Sequence, residues 1–258
     1  MSWIFIGGSV IKFTPDFCRF LAAYTRPAAT PVLLLLALRV TSGPVAAQAA
    51  DCPLRPVFET GAKSTTQVWR RVSENGPVCV YTRKSSRSNV HDVMATATIA
   101  AAPAQVFAVI SNYASYPQFM PYVVASEVLR KEAGTQWVFQ QLALPLMISD
   151  RYYTIRLSTD ISSATQNIYR INWTLAQGSE PVRRGRGEPT LVNDGSWELR
   201  PVAGGTGTHV AYFVHTDPGG DLPGFIVNMA NTIAVPSVIE AVRARAAINR
   251  PQTTGNGR

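Results

Sequence analysis

Along most of this chain, apolar side chains recur at every second position, the spacing that places them on one face of a β-strand. QVWRRVSENGPVCVYTRKS, 67–85, reads as a hairpin turning at Asn75-Gly76, with Val72 before the turn and Val78 and Val80 alternating after it. VHDVMATATIA, 90–100, reads as a third strand. The period changes at 101–121: Val106, Phe107 and Ile110 sit at helical spacing, Pro103 suits a first turn, and Tyr113, Tyr116, Pro117 and Pro121 close the helix in an aromatic turn. A meander of strands follows: VVASEVLRK, TQWVFQQLALP after the turn at Ala133-Gly134, SDRYYTIRLSTDIS, QNIYRINWTLA, a segment around GEPTLVNDGSWELRPV, and GTHVAYFVHTD. Its breaks fall at Gly, Pro, Asn, Asp and Ser, the residues that turns require. The last period is helical again. Over 217–250, Asp221 and Pro223 mark a start, and Phe225, Met229 and Ile233 form one apolar stripe. Val235, Val238 and Val242 continue it in a rotated phase past Pro236, which predicts a kink. Strands, one helix, a long meander and a final long helix make an α+β pattern without internal repeat or second domain.

Composition agrees with a folded chain: of 258 residues, 46% are hydrophobic and 16% charged. The first fifty residues read differently. PVLLLLALRV, 31–40, is a short apolar run preceded by Lys12, Arg19 and Arg26 and followed by TSGPVAAQAAD, with an A-x-A site at Ala47-Gln48-Ala49. Residues 1–50 are therefore expected to be an export leader cleaved near Ala49, 51–66 a lead-in, 67–250 the folded domain and 251–258 a disordered polar tail. A periplasmic or secreted location follows. The formal charge of +8 falls to +5 once the leader's four basic residues and one acid are removed. Cys18 leaves with the leader, so Cys52 and Cys79 remain, and an even pair in an exported chain suggests a disulfide, with two free thiols as the alternative.

One residue does not fit its strand. In SDRYYTIRL, 149–157, Arg151 alternates in phase with Tyr153, Ile155 and Leu157, so a permanent cation faces the side of three core-type residues. Such a group needs a protein carboxylate, a water-filled space or a polar ligand head. A structural ion pair at a strand end is the plain reading.

At this point the chain resembles the START domains of lipid-transfer proteins, in the wider helix-grip superfamily that includes polyketide cyclases. AAPAQVFAVISNYASYPQFMP resembles the family's first helix and its aromatic turn, and SDRYYTIRL its S-D-R-D-Y strand opening. GSWELRPV with GTHVAYFVHTDPGG resembles the two strands before the last helix, and DPGGDLPGFIVN that helix's start. The match runs over about 68–248. The resemblance implies a curved antiparallel sheet wrapped around the long C-terminal helix, with an elongated apolar cavity for one lipid between them. It also implies that Arg151 points into the cavity. This chain has Gln140 and Gln141 where some relatives carry the facing acid, and Tyr152 where the family usually has Asp. Glu127, in phase with Val123, Ala125 and Leu129, is the candidate substitute.

The other candidate ligand contacts are Trp137 and Phe139, Tyr153 and Ile155, Tyr169 with Trp173, and Trp197 with Leu199, roofed by Phe225, Met229 and Ile233. Plain core packing is the other reading of each. The chemistry of enzymes is thinly represented. No metal-ligand spacing and no G-x-S-x-G elbow occurs, and no cofactor is implied. His215 and Asp217 are the acid–base candidates of a cyclase- or hydrolase-type alternative, together with Arg151. A third reading is a partner-binding module with a filled core. Arg183, Arg184 and Arg186 form a basic loop cluster suited to transient contact with an anionic membrane surface, or simply to solvent. Nucleic acid is not expected, because no basic stripe is interleaved with stacking aromatics. The sequence thus predicts a lipid-binding or lipid-transfer protein that sequesters one hydrophobic ligand.

Overall fold

A computed structural model describes residues 69–72, 77–144, 148–202, 204, 206–220 and 222–248, together with two short strands nearer the N-terminus. Those two strands, β1 (Trp3–Ile6) and β2 (Ser9–Lys12), pair antiparallel within the unit 1–47. The remainder of the expected leader, the whole lead-in and the expected tail lie outside the described residues, as does Cys52.

The second unit is built on one open ten-stranded sheet. Its strands are β3 (Arg70–Arg71), β4 (Val78–Arg83), β5 (Asp92–Ile99), β6 (Val123–Glu132), β7 (Thr135–Leu142), β8 (Arg151–Asp160), β9 (Tyr169–Leu175), β10 (Glu188–Pro189), β11 (Val192–Pro201) and β12 (Thr208–Asp217). They lie in the order β3-β4-β5-β12-β11-β9-β8-β7-β6. The two-residue β10 pairs in parallel with the first residues of β8, and every other pairing is antiparallel. The β5–β12 pair joins the two parts of the sheet, bringing a strand from before the meander beside the meander's last strand.

Two helices cover one face, here called the inner face. Helix α1 (Pro103–Ser111) begins as the sequence predicts: Pro103 occupies the first turn, and the Gln105 side chain accepts the otherwise unpaired Ala102 N–H at 3.1 Å. A 3-10 turn, Tyr113–Gln118, holds the aromatic residues that end it. Helix α2 (Gly224–Ile248) runs 25 residues with Pro236 inside it. It packs chiefly on β4, β5 and α1, while α1 reaches β9 and β11.

Alternation decides what faces inward. Val78 and Val80 of β4, Val93, Ala95, Ala97 and Ile99 of β5, Leu199 of β11 and Val210 of β12 join Val106, Val109 and Ile110 of α1 in the main core, with Val235, Ile239, Val242 and Ala246 of α2. Burial of such side chains contributes about 1.5–3 kcal/mol each. A separate small cluster of Cys79, Tyr81 and Met94 lies on the outer face under Trp69.

The helix stripe differs from the expected one. Phe225, Met229 and Ile233 are exposed, at 60%, 38% and 45%, and Val227, Val235, Ile239, Val242 and Ala246 face the protein instead. A helix apolar on both sides gives weak phasing, so the wrong stripe reads as plausibly as the right one.

Candidate functional site

Arg151 sits where β8 begins, in phase with Tyr153, Ile155 and Leu157, and only 3% of it is exposed. Its partners are backbone. Nε donates to the Pro218 carbonyl at 2.7 Å, Nη1 to Ser149 O at 2.7 Å and Asp150 O at 3.3 Å, and Nη2 to Gly219 O at 3.2 Å. Four of the five guanidinium N–H groups are thus engaged. Gly219 and Gly220 take φ of 70° and 76°, which wraps the loop around the cation with its carbonyls inward. A side chain at Gly220 would stand 3.0 Å from Arg151 Nη2.

Glu127 does not meet Arg151. It lies on the outer face opposite Phe139 and pairs with Arg183, whose guanidinium also stands 4.8 Å over the Phe139 ring. Trp137 and Phe139, expected inward, are outward too. Trp137 Nε1 donates to Glu180 Oε1 at 3.1 Å, and Arg130 covers its ring at 4.0 Å. The segment 176–187 crosses the outer face of β7 and β8, pinned where Gln141 accepts Arg186 N–H at 2.8 Å and donates to Arg186 O at 2.9 Å. Both faces of β7 are therefore covered, and its inward residues are Val138, Gln140 and Leu142, opposite Ile155, Tyr153 and Arg151. Arg186 pairs with Asp150 at 2.6 Å, so two cations of the loop cluster have carboxylate partners.

The remaining inward candidates keep the expected phase. Tyr169 and Trp173 on β9, and Trp197 with Leu199 on β11, all face the helices alongside Tyr153 and Ile155. Two residues that sequence reasoning passed over, Asn193 and Tyr212, complete the set with Gln140, which it had named only as standing in place of an acid. Phase was the available signal, since Asn193 alternates with Trp197 and Leu199, and Tyr212 with Val210 and Val214. Gly195 makes the arrangement fit. A Cβ there would lie 2.2 Å from the Trp173 ring and 2.4 Å from the Phe213 carbonyl, so only glycine lets that indole lie flat on β11.

Two hydrogen-bonded groups of these residues lie on an apolar surface. Trp173 Nε1 donates to Asn193 Oδ1 at 3.0 Å, and the Tyr153 hydroxyl donates to Gln140 Oε1 at 2.6 Å. Gln140 Nε2 reaches Ser126 Oγ at 3.4 Å. Burial raises the Tyr153 phenol to about 12, against a smaller downward pull from the Asn193 side chain. The Tyr212 ring lies 4.3 Å from Trp197 and 5.8 Å from Trp173, and burial lifts its phenol as well, with Tyr153 adding to the rise. Tyr116, whose hydroxyl donates to Ile110 O at 2.6 Å, is raised for the same reasons by burial and then by Tyr113, Tyr212 and Tyr153.

Depth and accessibility part company here. Tyr153 and Tyr212 are buried deeply enough to lose most stabilisation of their ionised forms, yet they keep accessible surface. Tyr169 and Phe107, stacked at 4.8 Å, are also only partly buried, and all four rings border the main core.

The acid–base candidates lie elsewhere. His215 is on the outer face, with Nδ1 2.9 Å from Asp92 Oδ1 and Nε2 3.3 Å from Ser88 Oγ. Asp217 accepts the Gly219 N–H at 3.0 Å and shapes the loop before α2. Beside the other edge of the sheet, Arg70, Val72, Thr82, Arg83, Lys84, His91, Asn228, Met229, Thr232 and Ile233 line an open groove of about 620 Å³ between β3–β4 and α2.

Comparison with known proteins agrees with this geometry. Residues 99–243 match the family described as polyketide cyclase / dehydrase and lipid transport. An uncharacterized protein of Pseudomonas aeruginosa is 22% identical over 193 residues, covering 74% of this chain and 92% of its own. The crystal structure of a STAR-related lipid transfer protein fragment from Xanthomonas axonopodis superposes with a TM-score of 0.62 at 23% identity, covering 69% of this chain and 98% of that one. Human StAR-related lipid transfer protein 5 gives 0.63 at 15% identity, covering 70% and 86%. The chain shares the fold of these lipid-transfer structures, an open antiparallel sheet covered by a C-terminal helix, and it belongs to the polyketide cyclase / dehydrase and lipid transport family.

Proposed function

We propose that this protein binds one hydrophobic small molecule of the lipid class between the inner face of the sheet and α2, and carries it rather than transforming it. The observation that carries this reading is the accessible surface retained by the deeply placed rings of Tyr153 and Tyr212. A packed core leaves no such surface, whereas a ligand pocket is apolar with a few convergent polar groups. The lipid-transport half of the family description and the fold shared with named lipid-transfer proteins support it. Entry needs α2 to move, and Gly219-Gly220 with Pro236 are the proposed hinges.

Two further parts of the reading concern the setting. Export to the periplasm or beyond, with a Cys52–Cys79 disulfide, rests on the leader pattern and the even cysteine pair. Transient contact with an anionic membrane is supported by the groove beside α2, where Arg70 and Lys84 adjoin the exposed Val72, Met229 and Ile233. The enzyme alternative lacks support from the inner face, because His215 and Asp217 point outward.

A titration with a fluorescent fatty-acyl probe excited through tryptophan tests the carrier reading. Trp173 and Trp197 border the space, so energy transfer should saturate at one probe per chain. Transfer that grows linearly with probe, without saturation, would be surface partitioning and would remove the proposal.

A further inference from the structure

The inner face is almost uncharged. Reading its inward positions across β5, β12, β11, β9, β8 and β7, the single ionic side chain among the described residues is Arg151. That cation is committed to four backbone carbonyls of the 149–150 and 218–219 segments. It offers at most one N–H to anything else. The polar groups left facing the interior are all neutral: the Gln140 and Asn193 amides and the Tyr153 and Tyr212 hydroxyls.

Two hydrogen-bonded pairs lie among these groups. Trp173 donates to Asn193, and the Tyr153 hydroxyl donates to Gln140. The Tyr212 hydroxyl makes no hydrogen bond among the described residues. Its ring is held in place between Trp173 and Trp197, so the hydroxyl has a fixed position rather than a free rotor's choice of many. A phenol both donates and accepts, which suits a partner that does the same. A hydroxyl or carbonyl on the ligand satisfies it. A carboxylate or phosphate entering the same space would lose its hydration and meet no available cation.

We infer that the interior site selects an apolar molecule with a neutral hydroxyl or carbonyl end, held by Tyr212 and the Tyr153–Gln140 pair, over lipids with an anionic head. This rests on the carrier reading above and adds the chemical class of ligand. It also reassigns Arg151, which positions the loop before α2 instead of docking a head group.

The test is a matched pair of probes with one tail: 1-monooleoylglycerol, which is neutral, and 1-oleoyl lysophosphatidate, which adds only a phosphate. Each is titrated against the wild-type protein at pH 7.5 in competition with the tryptophan-excited probe. Monooleoylglycerol is expected to bind at least tenfold more tightly. Tyr212→Phe, which keeps the ring and its stacking, should cut that preference about tenfold, with the fluorescent probe's affinity for the variant measured separately. Equal affinities, or tighter binding of the phosphate, would overturn the inference and leave the carrier reading standing. Failure of every probe to bind would overturn both. The wild-type comparison decides without any variant, so a Tyr212→Phe protein that misfolds does not protect the inference.

Discussion

Arg151 Nε donates to the Pro218 carbonyl at 2.7 Å, joining the first residue of β8 to the loop that launches α2, 67 positions later. With Gly219 O held by the same guanidinium, the contact fixes where the covering helix begins. Removing the side chain strands several buried carbonyls, each costing about 1–3 kcal/mol when left unpaired. Arg151→Met is therefore expected to lower unfolding free energy by about 3 kcal/mol, read from urea denaturation. It should not convert the protein to anionic ligands. A variant of native stability with altered head-group preference would return Arg151 to the ligand site.

Strong acid should act on the outer face at Asp92. Burial raises its carboxyl, but His215 and Arg83, the latter at 2.7 Å, outweigh burial and hold the pKa below the ordinary carboxylate range. A folded pKa below the unfolded value gives stability that is present above about pH 4 and lost as pH falls through the folded pKa. Asp92→Asn is expected to cost about 1–3 kcal/mol at pH 7, less than a fully buried pair because Arg83 is partly exposed. Between pH 4 and 3 its stability should fall less steeply than that of the wild type, measured by denaturation at each pH.

His209 acts in a higher window. Burial lowers its pKa, so the folded state favours neutral imidazole. Its contribution is present above about pH 6.5 and is lost as pH falls from there through the folded value. His209→Gln should remove part of the stability loss between pH 7 and 5.

The proposed Cys52–Cys79 bridge closes a loop of about 27 residues, worth about 3.5 kcal/mol in the chain-entropy account. Mass spectrometry of the exported protein after alkylation should find neither thiol modified without reductant. Two alkylated cysteines would remove the bridge.

Membrane contact through the groove predicts salt-sensitive sedimentation with vesicles containing anionic phospholipid and little with zwitterionic ones. Each of Arg70→Gln and Lys84→Gln should weaken it about fivefold, as about 1 kcal/mol per basic residue implies. Unchanged binding in the double variant would place the contact elsewhere.

The inward phases of Arg151, Tyr153, Ile155, Tyr169, Trp173, Trp197 and Leu199 were legible because their strands alternate cleanly against one covered face. Trp137 and Phe139 were not, because the 176–187 segment buries the outer side of β7 too, and an aromatic residue is at home on either side. Phe225, Met229 and Ile233 misled for a related reason: α2 carries apolar residues beyond the face it buries. The four carbonyls around Arg151 had no sequence signal, since backbone partners depend on loop geometry. Asn193 was in phase but polar, and strand alternation read for apolar residues passes over it; Gln140 was noticed only through the resemblance, as the stand-in for an acid.

The interior space beneath α2 is the claim on which the rest depends, and native mass spectrometry of the freshly purified protein addresses it most directly. The spectrum should contain a species heavier than the bare chain by the mass of one lipid, released on collisional activation and found in the organic extract as a neutral, hydroxyl- or carbonyl-bearing molecule. A spectrum of bare protein alone, unchanged after incubation with excess 1-monooleoylglycerol, would contradict it.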